Sequence, residues 1–371
     1  MNRIYLDWNA TAPMLPEVQV AVLEAMKLPG NASSIHQEGQ AARTIIERAR
    51  RAVAKAVSSA AQGVFFTGGA TESNNQILKD FVRRKPECTL ICSSVEHPSV
   101  IEVVSDLSGM VATRQLKVDE AGRIDLDDLR EISGPFLVSL MWANNEIGNI
   151  YPIREVADFV HERGGLLHVD GTQALGRIPI NFRESGADFM SLSFHKMGGP
   201  KGVGAVVVRE GLKVENMVSG GHQERGRRPG TENVPVIAGV EMAMNCLIEN
   251  LGVWNSQMAE LRERLFQGLA ATGAVRRGDA ESCLPNTLNV AWDLDGEDML
   301  LALDLAGVAV SSGSACTAGS LEPSHVILAM GFDEARARQS IRFSLGPSTT
   351  REEVDDAIER VSKVVDQLRR I

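Results

Sequence analysis

Val64-Phe65-Phe66-Thr67-Gly68-Gly69-Ala70-Thr71-Glu72-Ser73-Asn74 reads as an apolar strand, a glycine turn and the opening of a helix that continues through Ile77, Leu78 and Phe81. The same alternation recurs outward from this stretch. Leu90-Ile91-Cys92 is followed by a helix opening near Pro98, a residue suited to a first turn. Phe136 to Trp142, Leu166 to Val169, Phe189 to Ser193 and Ala205 to Val208 are further apolar runs of strand length. Strands separated by helical segments predict βαβ units and a mainly parallel sheet, so the fold class is α/β.

The pattern changes after about residue 255. Thr287–Val290, Val308–Val310 and Ile341–Phe343 are shorter strand-like runs mixed with helices, and Val354, Ile358, Val361, Val365 and Leu368 recur at helical spacing. The expected division is a large domain over 15–255 and a smaller α+β domain built from 1–14 and 256–371. The chain has 371 residues, 44% hydrophobic and 23% charged, which is a globular rather than a disordered balance. Its formal net charge of -10 gives no general attraction to nucleic acid. No run of 18 or more apolar residues predicts a membrane span, and the N-terminus lacks a signal-like apolar core. The five cysteines, Cys88, Cys92, Cys246, Cys283 and Cys316, are odd in number and scattered. A disulfide framework is not expected, and a reducing cytoplasm is. Cys88 and Cys92 read as buried structural thiols, and no firm metal site is expected.

Ligands of open α/β sheets bind beyond the carboxyl ends of the strands, and four polar clusters fall at such places or in loops. Gly68 to Asn74 offers free N–H groups at a helix N-terminus for an anion, with a capped turn as the alternative. His168-Val169-Asp170-Gly171-Thr172-Gln173 ends an apolar strand in a carboxylate, which needs a partner such as a pyridinium nitrogen or a helix N-cap. Ser191-Leu192-Ser193-Phe194-His195-Lys196 brings two phosphate donors and an amine able to form a Schiff base, with Lys201 competing for that role. Together these clusters fit pyridoxal phosphate. Ser311 to Ser320 contains almost nothing large enough to pack, so an exposed mobile loop over about 311–322 is expected, with Cys316 in it. A helix is expected from Glu322-Pro323-Ser324 to Met330, stopping at Gly331.

In this order the clusters resemble the cysteine desulfurases of the NifS/IscS group, within the class V aminotransferases. The resemblance runs from Tyr5-Leu6-Asp7 to about Pro347. It is most specific at Gly69 to Asn75, Asn144-Asn145-Glu146-Ile147-Gly148, His195-Lys196 and Ser311-Ser312-Gly313-Ser314-Ala315-Cys316. It implies a pyridoxal-phosphate transferase fold like that of aspartate aminotransferase, with a mainly parallel seven-stranded sheet. Lys196 would anchor the cofactor, Asp170 would pair with its ring nitrogen, and His97 would stack on the ring and move protons. Asn145 and Gln173 would bond near the ring hydroxyl. Ala70, Thr71, Ser193 and His195 would hold the phosphate, helped by Thr231 of a second subunit in a homodimer. Asn31, Asn145 and Arg342 would bind the substrate, Arg342 gripping both oxygens of its carboxylate.

The implied reaction converts L-cysteine to L-alanine, with the sulfur received by Cys316 as a persulfide. The acceptor would be an iron–sulfur scaffold or another protein, for nitrogenase maturation of the NifS type, with Cys316 contacting a cluster during transfer. A selenocysteine lyase or another enzyme of the same fold is the alternative.

Overall fold

The computed structural model describes residues 3–130, 132–312 and 322–370, so Cys316 lies outside the described residues. Twelve strands are present among them: β1 (Ile4–Tyr5), β2 (Val64–Thr67), β3 (Thr89–Ser93), β4 (Ala112–Leu116), β5 (Phe136–Met141), β6 (Leu166–Asp170), β7 (Phe189–Ser193), β8 (Gly204–Val208), β9 (Val275–Arg277), β10 (Thr287–Ala291), β11 (Val308–Ala309) and β12 (Ser340–Ser344). The helices, in chain order, begin with α1 (Pro16–Ala25), α2 (Gln37–Ala56), α3 (Ala70–Arg84), α4 (Pro98–Leu107), α5 (Ile153–His161) and α6 (Phe182–Ser185). They continue with α7 (Val234–Ala270), α8 (Gly296–Leu305), α9 (His325–Ala329), α10 (Glu334–Arg338) and α11 (Arg351–Leu368).

Seven strands form one sheet in the order β2-β8-β7-β6-β5-β3-β4. The five from β7 to β4 run parallel, and β8 is antiparallel to both of its neighbours. The mainly parallel seven-stranded sheet expected from the sequence is therefore present. Strand alternation sorts its side chains onto two faces. On β5, Phe136, Val138 and Leu140 join one apolar cluster and Leu137 joins the other. On β8, Ala205 and Val207 go one way and Val206 and Val208 the other. Both faces are covered by helices, which is why these strands are apolar at most positions, with Ser139 the exception on β5. The polar edge strand β4, with Thr113, Arg114 and Gln115, carries no such signal and escaped the sequence reading.

A second core lies around the three-stranded sheet β12-β10-β9. Leu288, Val290, Ile341 and Phe343 pack there with Val354, Val361 and Val365 of α11. The expected boundary near residue 255 falls inside the single 37-residue helix α7. Its first half sends Val240, Met244 and Leu247 into the large-sheet core, and its last turns send Leu261, Leu265 and Leu269 into the other. By length and composition alone α7 could cross a membrane, with a mean hydropathy of 1.4 in its most apolar window.

The N-terminal segment joins the two sheets. β1 pairs in parallel with β11, and Asp7 bridges to Ser344 at the end of β12. Residues 8–12 then cross to the carboxyl ends of β6 and β7, where Ala12 N–H donates to the His195 carbonyl.

The turn before Thr231 is held by a buried ion pair. Arg50 of α2 donates to both Glu224 oxygens at 2.6 and 3.0 Å, and the Phe66 N–H also donates to Glu224. Glu224 and Arg225 both adopt left-handed backbone, at φ 48° and 61°. Glu224→Ala would take two bonds from a buried guanidinium, leaving it only Glu47 and the Val64 carbonyl, and would leave the Phe66 N–H unpaired. The expected cost is about 3–5 kcal/mol, read as a lowered urea midpoint; a change within experimental error would contradict the pinning role.

Candidate active site

A cavity of about 680 Å³ opens at the carboxyl ends of β5, β6 and β7. Five of the expected cofactor-holding residues line it from the sheet side: Asn145, Asp170, Gln173, Ser193 and His195. Ala70 and Thr71 enter from the N-terminus of α3, His97 from the start of α4, Lys196 from the turn after β7 and Arg342 from β12. Thr231 and Asn31 do not line it within one chain. Thr231 is exposed. Asn31 is exposed too, and its side chain accepts from Ser33 N–H in a local turn.

The strand-end carboxylate is held from two sides. Asp170 Oδ1 accepts from the Thr172 N–H at 3.0 Å and Oδ2 from Asn74 Nδ2 at 2.9 Å. The amine of Lys196 donates to the carbonyls of Asn9 and Ala10, both at 2.8 Å. Gln173 Nε2 donates to the same Asn9 carbonyl, and His195 Nδ1 meets Thr11 Oγ1 at 3.0 Å. Burial, with Lys196, Lys201 and Arg177 nearby, pushes His195 down to about 4, so its ring is neutral at physiological pH. Lys201 also lines the cavity, on its exposed side.

Arg342 is buried, 3% exposed, and spends two nitrogens on protein. Nη1 donates to the Asn145 carbonyl at 2.9 Å and Nη2 to Asp7 Oδ1 at 2.8 Å. Its Nε is buried without a partner among the described residues. A buried donor without an acceptor is costly, and a ligand carboxylate would satisfy it. Thr172 Oγ1 and Gln173 Oε1 are orphaned in the same way.

Two carboxylic acids lie just behind the cavity wall. Glu96 is fully buried and accepts from Ser93 Oγ at 2.6 Å and from the Met141 N–H at 2.9 Å. Burial, helped by the charge of Asp170, pushes Glu96 up to about 8. Glu146, also raised by burial, accepts from Ser324 Oγ, the N-cap of α9. The helix expected from residue 322 to Met330 spans 325–329, and Gly331 follows in left-handed backbone.

The sequence reading missed Asp7, Asn9, Ala10, Thr11, Asn74, Glu96 and Ser99. Backbone carbonyls such as those of Asn9 and Ala10 leave no mark in a sequence. Glu96 and Ser99 flank His97-Pro98 and could have been suspected as polar residues opening a buried helix.

Comparison with known proteins converges on one family. The model for aminotransferase class-V matches residues 4–356. A cysteine desulfurase of Gluconacetobacter diazotrophicus is 41% identical over 379 residues, covering 100% of this chain and 95% of that protein. The chain belongs to the cysteine desulfurases of the class-V aminotransferase family. The cysteine desulfurase NifS of Azotobacter vinelandii and the cysteine desulfurase IscS of Dictyoglomus turgidum are each 39% identical, with 100% of this chain covered and 94% and 96% of theirs. A solved NifS-like protein superposes with a TM-score of 0.93 at 36% identity, covering 99% of this chain and 100% of its own.

Membership implies pyridoxal phosphate, and the cavity fits it. The α3 N-terminus has no side-chain cap, with Gly69 at φ 155° and open space where a Cβ would stand. Its free N–H groups suit a phosphate. The Asp170 carboxylate suits a protonated ring nitrogen, and Lys196 supplies the amine.

The neutral form of Glu96 is favoured in the folded state. Its contribution to stability is complete below the unfolded value of about 4.5 and is lost as pH rises through about 8. Glu96→Gln removes that loss. The melting temperature of the variant should gain on the parent steadily from about pH 5 to pH 8; a constant difference would contradict the assignment.

Proposed function

We propose that Cys316 receives sulfur from L-cysteine in this cavity, leaving L-alanine and a persulfide. The observation that carries this reading is the makeup of the cavity wall. It offers an amine, a carboxylate and a guanidinium with a free donor, yet no cysteine among the described residues lines it. The four described thiols serve elsewhere. Cys88 and Cys92 are packed under the sheet, where burial pushes them up to about 11 and 12. Burial raises Cys246 too. Cys283 Sγ sits against Arg262 and Arg276, away from the cavity.

Chain connectivity supports Cys316. Ser311 bridges to Arg342 through bonds in both directions, so the segment departs from a residue of the cavity wall. Cys316 is five residues on from Ser311, which caps their Cα separation at about 18 Å. The segment returns at Ser324 and His325, bonded to Glu146 and to the Glu96 carbonyl.

Pyridoxal phosphate bound here would supply an electron sink for negative charge on the substrate carbons. Asp170 would hold its ring nitrogen, His97 its ring face, Asn145 and Gln173 its hydroxyl edge, and Ala70, Thr71, Ser193 and His195 its phosphate. In a homodimer, Thr231 of the second copy would complete the phosphate site. Arg342 binds the substrate carboxylate through its open Nε. Lys196 takes the α-proton, and its amine is oriented for this by Asn9 and Ala10. The Cys316 thiolate attacks the substrate sulfur. An S–S bond forms, the carbon–sulfur bond breaks, and the carbon is protonated. Thiol plus cysteine thus becomes persulfide plus alanine with no external oxidant.

A solved structure described as SspA in complex with cysteine has a TM-score of 0.82 at 28% identity, covering 94% of this chain and 100% of its own, and supports cysteine as the ligand. The next acceptor we infer is an iron–sulfur scaffold protein. The likeness to relatives named NifS and IscS, each 39% identical, supports an acceptor of that class.

Cys316→Ala should keep the visible absorption of the bound cofactor but lose sulfide release from cysteine under a thiol reductant. Full sulfide release would overturn the assignment. Lys196→Ala should abolish the visible band of the covalently held cofactor, and Lys201→Ala should retain it. The reverse pattern, read by absorption spectroscopy, would move the anchor to Lys201.

A further inference from the structure

A continuous run of hydrogen bonds joins the strand-end carboxylate to the histidine on the opposite cavity wall. Asn74 Nδ2 lies 2.9 Å from Asp170 Oδ2 and 2.9 Å from Ser99 Oγ. Ser99 Oγ lies 2.8 Å from His97 Nδ1, and the Ser99 backbone N–H reaches that same ring nitrogen at 3.1 Å. Asn74 is fully buried and Ser99 is 8% exposed.

The donors can be assigned from chemistry. An amide oxygen of Asn74 in the Nδ2 position would face a carboxylate oxygen, so the nitrogen belongs there. Its two hydrogens go to Asp170 and to Ser99. The Ser99 hydroxyl, having accepted one bond, gives its single hydrogen to His97 Nδ1. The backbone N–H of Ser99 can only donate, so Nδ1 bears a lone pair whichever way the hydroxyl turns. His97 is thereby the N-cap of α4, with Pro98 in the first turn.

We infer that Asn74 and Ser99 are positioning residues that fix His97 as the neutral imidazole with its proton on Nε2, making it a hydrogen-bond donor rather than the base of this site. Protonation would put the new hydrogen on Nδ1 and break two bonds. The groups facing the ring mostly oppose a positive charge. Burial lowers its affinity for a proton, and Lys196 beyond β7 and His325 from α9 act in the same direction, against Asp170 of β6. The N-terminal end of the α4 dipole adds to the opposition. The proton removed from the substrate α-carbon then falls to Lys196. This catalytic consequence rests on the function proposed above; the tautomer does not.

The test is a long-range proton–nitrogen spectrum of the cofactor-loaded protein labelled with nitrogen-15 histidine, with His97 assigned through His97→Gln. The expected wild-type result is an acceptor-type Nδ1 and a protonated Nε2, with a titration midpoint below about 6.5. Ser99→Ala should raise that midpoint toward the ordinary value and move the Nδ1 shift, and Ser99→Thr should restore both. The acid limb of the kcat profile should follow the same order. A wild-type ring protonated on Nδ1, or a Ser99→Ala spectrum matching wild type, would overturn the inference. Absence of sulfide release from cysteine would instead count against the proposed function and leave the spectrum standing.

Discussion

The amine of Lys196 held between the carbonyls of Asn9 and Ala10 is the contact on which the site depends. An ammonium group needs acceptors when water is scarce, and backbone carbonyls provide them without a competing charge. Those carbonyls are in place only because the N-terminal segment is tied at both ends. On one side it pairs with β11 and β12. On the other, Asn9, Thr11 and Ala12 meet Gln173, His195 and the His195 carbonyl. The same segment places Asp7 against Arg342. One short strap therefore orients the groups assigned to the substrate α-carbon and to its carboxylate.

The polar groups of the cavity form a largely paired set with a few deliberate openings. Asp170, Lys196 and the run from Asn74 Nδ2 through Ser99 to His97 each have protein partners, while Asn74 Oδ1 has none among the described residues. Arg342 Nε, Thr172 Oγ1 and Gln173 Oε1 do not, among the described residues. Buried polar atoms are seldom left unpaired in a folded protein, so such orphans mark where a ligand completes the structure. Glu96 and Glu146 behave differently, since burial favours their neutral forms. Glu96 anchors the wall through Ser93 and Met141, and Glu146 holds the return of the chain at Ser324.

Much of this was legible in the residues. The strands of the large sheet are buried on both faces, so Val64-Phe65-Phe66 and Phe136 to Met141, broken only by Ser139, carry apolar runs that stand out. Asp170 and Lys196 could be found because charged groups at apolar strand ends demand a reason. The two-residue strand β1 and the polar edge β4 have too little pattern to be seen. The bonds of Asn9 and Ala10 to Lys196 and of Ser99 to Asn74 join residues distant in sequence, and two of those three residues contribute backbone oxygen. Helix α7 conceals the junction between cores because one unbroken helical period serves both. Cys316, the residue on which the proposed function turns, was marked by composition and by family resemblance, and it lies outside the described residues.

The central claim is that sulfur passes to Cys316 and to no other thiol of the chain. It is tested most directly by mixing the cofactor-loaded protein with cysteine, trapping thiols with an alkylating agent and sequencing the peptides by mass spectrometry. The account predicts one extra sulfur atom on the Cys316 peptide, dependent on cysteine and on the cofactor, with Cys88, Cys92, Cys246 and Cys283 unmodified. Extra sulfur on Cys246 or Cys283 with none on Cys316 would contradict it.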